Sequence, residues 1–214
     1  MGIKEIKERI GAAAQKSGRN PQAICLVAVS KGQNIEKIQQ AVALGQIDFG
    51  ENYAQELLEK APLLNQSNIH WHFLGHLQKN KLGKVLPLIE WLHSLDSFEL
   101  AQAIDKKATK PLKCLLEMNL SSETTKSGLS VEQALEIIPK LKELSNIDLR
   151  GLMTMAPHPY FKKLFELLKT INQRYLYPKP LTELSMGMSD DFEGAIEEGA
   201  TIVRVGTAIF GERK

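Results

Sequence analysis

A chain of 214 residues, 43% hydrophobic and 24% charged, carries enough apolar material for one sizeable core and has the usage of an ordinary soluble domain, which excludes a disordered or fibrous polymer. Its 27 basic and 25 acidic residues leave a formal charge of +2 and are spread along the chain, so no nucleic-acid or other polyanionic partner is indicated. The start, "MGIKEIKERI", is charged from its fourth residue, and no apolar run approaches the length of a membrane span, so a cytoplasmic protein without leader or anchor is expected.

The elements follow in chain order. Ile3, Ile6 and Ile10, three and four residues apart, predict an opening helix that stops between Gly18 and Pro21. After it, strands and helices alternate. The predicted strands are "ICLVAVS", "IDFGE", "IHWHFLG", "WLHSLD", "KCLLEMNL", "DLRGLMTM", "TELSMGM" and "TIVRVGTAIFG", each short and apolar and bounded by turn or cap residues. Between them run amphipathic segments such as "NIEKIQQAVALG", from the cap Asn34 to the terminating Gly45, and "SVEQALEIIPKLKEL", where Ser130 and Gln133 have the spacing of a capping box. Eight strands alternating with helices predict a single α/β domain over residues 1–214, a closed (β/α)8 TIM barrel with an extra N-terminal helix. An open doubly wound sheet would normally carry a Gly-rich nucleotide turn after its first strand, and no G-x-G-x-x-G occurs. Cys25 and Cys114 lie within apolar runs, where cysteine acts as a small hydrophobe, and they have neither disulfide nor metal-ligand spacing.

In such a barrel the active site lies at the C-terminal ends of the strands. Lys31 ends the first strand and Asn52 follows the second, in "FGENY". Taken alone, Lys31 reads first as a solvated charge and Asn52 as part of a plain turn. The last two strands add "LSMGMS", with Ser185, Gly187 and Ser189, and "RVGTAIFG", with Gly206 and Thr207. Glycines that admit an anion to backbone N–H groups, with hydroxyl donors beside them, are what a phosphate needs, and barrels often bind phosphate in these two loops. A P-loop is excluded, since "GTAIFGER" has Glu212 and Arg213 where a lysine and a hydroxyl are required. Arg204 interrupts the apolar "TIVRVG" and needs a partner. That partner is either a structural carboxylate or a ligand. A strand-end amine, a phosphate cradle and a group facing a pyridine nitrogen together match the requirements of pyridoxal phosphate, and an arginine in the last role keeps that nitrogen unprotonated.

"VAVSK", "FGENYAQE", "WHFLGHLQKNK", "SLDS", the N-x-x-x-E-x-x-K-x-G pattern from Asn119 to Gly128, "GLMTMAP", "LSMGMSDDFEGAI" and "VRVGTAIFGER" together resemble the pyridoxal phosphate homeostasis proteins over nearly the whole chain. The resemblance implies a barrel similar to the N-terminal domain of alanine racemase. It implies pyridoxal 5'-phosphate as cofactor, held as a Schiff base on Lys31 with Arg204 at the pyridine nitrogen. Ser185, Met186, Gly187, Gly206 and Thr207 would surround the phosphate, and Asn52 would lie close to the ring. Two departures stand out: Gly32 follows the lysine where the family usually has threonine, and "APHPYF" is a shorter loop than usual.

The expected role is vitamin B6 homeostasis, with the chain carrying or regulating the cofactor, serving apo-enzymes as recipients, acting as a monomer and turning over little or no amino acid. Racemisation on this barrel needs two acid–base groups on opposite faces of the intermediate, the second usually a tyrosine from another domain. With Lys214 as the last residue no such domain is expected, and of Tyr53, Tyr160, Tyr175 and Tyr177 only Tyr53 follows a strand closely. A racemase-like enzyme is the alternative. A metal-dependent hydrolase built on the His70-x-His72 pair is weaker, since later strand ends offer little beyond Glu117 and His158 as further ligands.

Overall fold

The computed structural model describes residues 2–64, 68–121, 127–175 and 179–212. It opens with α1 (Ile3–Lys16), followed by β1 (Cys25–Val29), α2 (Ile35–Ala43), β2 (Asp48–Glu51), α3 (Ala54–Lys60), β3 (His70–Phe73), α4 (Leu82–Val85) and β4 (Trp91–Leu95). The second half holds α5 (Phe98–Lys107), β5 (Leu112–Glu117), α6 (Val131–Leu141), β6 (Ile147–Met153), α7 (Tyr160–Arg174), β7 (Glu183–Ser185), α8 (Phe192–Glu197), β8 (Ile202–Val205) and α9 (Thr207–Phe210). The strands pair in sequence order, all parallel, and β8 closes on β1, with Val27 opposite Arg204. This is the α/β TIM barrel with an added N-terminal helix.

Local chemistry places the elements. Asn34 caps α2 by accepting from the Lys37 N–H, and Ser130 and Gln133 form the reciprocal capping box of α6. Helix α1 buries Ile3, Ile6, Ile10, Ala13 and Ala14, packs on α8, and is pinned there by the ion pairs Arg9–Glu193 and Lys16–Glu197. The eighth strand is shorter than its sequence suggests. "TIVRVGTAIFG" reads as one strand, but pairing ends at Val205, because the chain turns at Gly206, whose carbonyl accepts from the Ile209 and Phe210 N–H groups. The stretch that follows is α9, which buries Phe210.

The core has two parts, and β1 separates them by alternation. Leu26 and Ala28 face the helices and join the large outer cluster, whereas Val27 belongs to a small interior cluster with Leu115, Met153 and Ile202. Barrel interiors are normally filled by branched apolar residues. Here His72, His93, Ser185 and Arg204 are also buried, on β3, β4, β7 and β8, so much of the filling is polar. No helix among the described residues is long and apolar enough to cross a membrane.

Candidate functional site

Strand β1 delivers Lys31 to a fixed corner. Residues 30–33 form a tight turn in which the Gln33 N–H donates to the Ser30 carbonyl at 3.0 Å, and Gly32 adopts a left-handed φ of 69° that glycine accommodates without a Cβ clash. Both neighbours of Lys31 are tied down. Lys60 reaches in from α3 and donates to the Ser30 carbonyl at 2.8 Å, while the Gly32 N–H donates to Glu56 Oε2 at 2.7 Å. The same Lys60 ammonium donates to Glu51 Oε1 at 2.8 Å, and Ser30 Oγ donates to that oxygen at 2.7 Å. Burial pushes the Glu51 carboxyl up, against the hydrogen bonds from Lys60 and Ser30 that favour the anion.

Lys31, Asn52, Arg204, Gly206 and Thr207 line one cavity of about 210 Å³ at the C-terminal ends of the strands, beside Val29, Leu74, Met155, Met188, Ser189 and Asp190. It is smaller than the roughly 300–1,000 Å³ of pockets for drug-sized ligands, which suits a molecule with one small ring. Asn52 lines the cavity, and its side-chain Oδ1 is buried without a hydrogen-bond partner among the described residues. The cavity floor is the Arg204 guanidinium, which donates from Nη1 to Ser185 Oγ at 2.6 Å and from Nη2 to the Thr154 carbonyl at 2.9 Å and Met155 Sδ at 3.2 Å. No carboxylate among the described residues forms an ion pair with it. Burial pushes its pKa down to about 10, partly offset by Glu117 and Asp191, so it remains cationic at neutral pH. Glu117, at the end of β5, is pushed up to about 7 by burial and by Asp96, with Arg204 pulling the other way.

Behind Arg204 a line of hydrogen bonds crosses the barrel. Ser185 Oγ lies 2.9 Å from His93 Nδ1, His93 Nε2 lies 2.9 Å from His72 Nδ1, and His72 Nε2 lies 3.1 Å from Asp48 Oδ1 near the N-terminal end of the strands. Burial holds both imidazoles below their ordinary range, His93 well below, aided there by His72 and Arg204. Burial alone would raise Asp48, but hydrogen bonds and charge from His72 and His70 bring it below the usual carboxylate range.

Of the residues singled out from sequence, Lys31, Asn52, Arg204, Gly206 and Thr207 meet at the cavity. Ser185 and Met186 lie deeper: Ser185 holds Arg204 and His93, and the Met186 side chain is buried in the outer core. Gly187 sits between, at φ 89° with its carbonyl accepting from the Arg204 N–H, and a Cβ there would meet that of Ala195 at 2.6 Å. Glu123 and Lys126 of the Asn119–Gly128 pattern, Tyr177, and Arg213 of "FGER" lie outside the described residues. Sequence reading missed Met155, Met188 and Asp190 of the lining; Met155 and Met188 close predicted strands six and seven and Asp190 lies two residues past the latter, so position alone could have found them. It also missed the support from Lys60 and Glu56, whose spacing of four on α3 reads as an ordinary surface pair.

Residues 3–214 match the family model described as alanine racemase, N-terminal domain. The pyridoxal phosphate homeostasis protein of Pseudomonas aeruginosa is 41% identical over 99% of this chain and 94% of its own length, and that of Aquifex aeolicus is 40% identical over 99% and 97%. Among solved structures, PipY of Synechococcus elongatus with PLP bound superposes with a TM-score of 0.84 at 35% identity, covering 96% of this chain and all of that one. Alanine racemase of Corynebacterium glutamicum, at 14% identity and a TM-score of 0.71, shares the fold over 62% of its length. The chain thus belongs to the family of pyridoxal phosphate homeostasis proteins, built on the alanine racemase N-terminal domain.

Proposed function

We propose that this chain binds pyridoxal 5'-phosphate in the cavity at the C-terminal ends of its strands and serves vitamin B6 homeostasis, carrying the cofactor and releasing it to apo-enzymes in the cytoplasm as a monomer. The observation that carries the reading is the convergence of Lys31, Asn52 and Arg204 on one small cavity. The residues fit the group. When bound, the cofactor supplies an aldehyde that condenses with an amine, with loss of water. Lys31 is the lysine among the described lining residues and provides that amine, held at a corner whose two neighbours are pinned. Arg204 faces the ring nitrogen with a fixed positive charge and disfavours its protonation. Three of its five N–H donors are engaged within the protein, which leaves the fork able to donate to the ring. The Asn52 side-chain amide would lie beside the ring. Gly206 and the hydroxyls of Thr207 and Ser189 receive the phosphate, with backbone approach allowed by the glycine. Ser185, Met186 and Gly187 act from behind, by fixing Arg204 and the turn that carries Ser189.

A carrier rather than an enzyme is favoured by the lining itself. Among its described residues there is no tyrosine or histidine to serve as a second acid–base group opposite Lys31, and Thr207 and Asp190 are exposed, so water reaches the site. The test is to reduce the purified holo-protein with borohydride and map the pyridoxyl group, then to assay racemase and transaminase turnover separately from cofactor transfer to an apo-transaminase. The group is expected on Lys31, with transfer but no robust turnover. Mapping to another lysine refutes the assignment. Turnover at about 1 per second or faster, lost with Lys31→Ala, refutes the carrier role.

A further inference from the structure

The H-x-H pair of β3 is absorbed by neither the cavity nor the carrier role, and it faces the opposite end of the barrel. There, His72 Nε2 lies 3.1 Å and His70 Nδ1 3.2 Å from the same oxygen, Asp48 Oδ1. The Cys25 thiol joins them: ligand atoms of Cys25, Asp48 and His72 all lie within 4.8 Å of one another. Three adjacent strands, β1, β2 and β3, supply these residues, so the group is held by the sheet rather than by loops. We propose that Cys25 Sγ, an Asp48 carboxylate oxygen and His72 Nε2 bind a zinc-class divalent cation at the N-terminal end of the barrel, a site separate from the cofactor cavity.

Ligand chemistry, spacing, support and access agree. Thiolate, imidazole and carboxylate are the donors that tetrahedral zinc takes, with bonds of about 2.0–2.3 Å, which put neighbouring donor atoms roughly 3.3–3.7 Å apart. The His72 to Asp48 separation of 3.1 Å is already close to this, and the thiol needs to close only part of its present distance. The far nitrogen of His72, Nδ1, meets His93 Nε2 at 2.9 Å, and the His72 ring stacks on Trp91 with planes 4° apart, so the imidazole is oriented from behind in the way metal-ligating histidines usually are. A cavity of about 650 Å³ lined by Cys25, Asp48, Glu183 and Thr201 opens onto the group and provides the entry path. His70, half-exposed, reaches the same Asp48 oxygen, and solvent would complete the fourth position. Binding balances as follows. The Cys25 thiol gives its proton to solvent as sulfur bonds the metal. His72 shifts its N–H from Nε2 to Nδ1, where it donates to His93 Nε2, and His93 in turn donates from Nδ1 to Ser185 Oγ.

The experiment uses the full chain, stripped with chelator, titrated with Co2+ and Zn2+ and followed by absorbance and equilibrium dialysis, with circular dichroism as the folding control. One equivalent should bind, and Co2+ should give the d–d bands of a tetrahedral site with a thiolate-to-cobalt charge-transfer band. Cys25→Ser should abolish the charge-transfer band, and Cys25→Ser and Asp48→Asn should each weaken Zn2+ binding by about tenfold or more, while His76→Ala leaves it unchanged. The proposal is overturned if no stoichiometric metal binds to the wild-type chain. It is overturned equally if the charge-transfer band survives in Cys25→Ser, or if the folded member of the Cys25→Ser and Asp48→Asn pair binds Zn2+ as tightly as wild type.

Discussion

Replacing Lys60 with methionine tests how the corner that carries Lys31 is held. Lys60 Nζ donates to Glu51 Oε1, Glu56 Oε2 and the Ser30 carbonyl at 2.8, 2.6 and 2.8 Å, and the Glu51 side chain is wholly buried. Methionine keeps much of the volume but leaves Glu51 with Ser30 Oγ as its hydrogen-bond donor, and Glu51 Oε2 already lacks a partner. Breaking a buried pair by removing one member costs about 3–5 kcal/mol. At the lower figure this is a fall in melting temperature of roughly 6–12 °C for a chain of this size. The deficit must depend on pH, with a sign that can be worked out. Burial raises the folded-state pKa of Glu51 above the unfolded value, and removing Lys60 raises it further. A carboxyl raised in the folded state contributes stability that is present below its unfolded value of about 4.3 and is lost as pH rises through the folded one. Urea denaturation at pH 5 and pH 8 should therefore show the larger Lys60→Met deficit at pH 8, and adding Glu51→Gln should recover most of it. A deficit below about 1 kcal/mol at both pH values, or one of equal size at both, would mean that Glu51 and Lys60 are not coupled as their geometry implies.

Glu117, raised by burial from 4.5 to about 7, contributes stability that is lost between those values, up to about 3 kcal/mol at about 1.4 kcal/mol per unit. Glu117→Gln should flatten that part of the stability profile and be the more stable protein at pH 8, as read by urea denaturation across pH. Gly151→Ala should cost more than about 3 kcal/mol, because its Cβ would lie 1.8 Å from the Glu183 carbonyl oxygen and force β6 away from β7; thermal unfolding checks this, and a loss under 1 kcal/mol contradicts it. Ser185→Ala removes the acceptor of Arg204 Nη1 and the partner of His93, and should cost about 2 kcal/mol with weaker pyridoxal phosphate binding, measured by denaturation and by absorbance titration.

The barrel was legible because each strand is a short apolar run between turn residues, and all eight positions are strands in the structure. The end of β8 was not. "VRVGTAIFG" is as apolar after Gly206 as before it, and what converts Thr207–Phe210 to a helix is the Gly206 carbonyl and the burial of Phe210, both tertiary. At the cavity, Lys31, Asn52, Gly206 and Thr207 were legible from their places at and after strand ends, and Arg204 as a charge inside an apolar strand. Ser185 looked like one more phosphate hydroxyl because position after a strand does not say which way a side chain points. Strand β7 ends on it, and the two-residue alternation sends it into the barrel towards His93 and Arg204. The pairing of Asp48 with His72 was hidden for a related reason, since it depends on the register of β2 against β3, where Asp48 stands opposite His70.

The interior line of hydrogen bonds has one consistent direction, and both its ends dictate it. A guanidinium can only donate, so Ser185 Oγ accepts from Arg204; an ionised carboxylate can only accept, so His72 Nε2 carries the proton that faces Asp48. The two neutral rings between then have no freedom left: Ser185 donates to His93 Nδ1, and His93 Nε2–H donates to His72 Nδ1. Every dipole in the line points from the cation towards the anion, and each bond polarises the next. Among the described residues buried Arg204 has no ion pair at the cavity, where a carboxylate would compete for the guanidinium, and the charges that offset its burial are those of Glu117 and Asp191. The line to Asp48 fixes Ser185 Oγ as the acceptor of Arg204 Nη1 and so sets the guanidinium in place, with two of its five N–H donors left for a ligand.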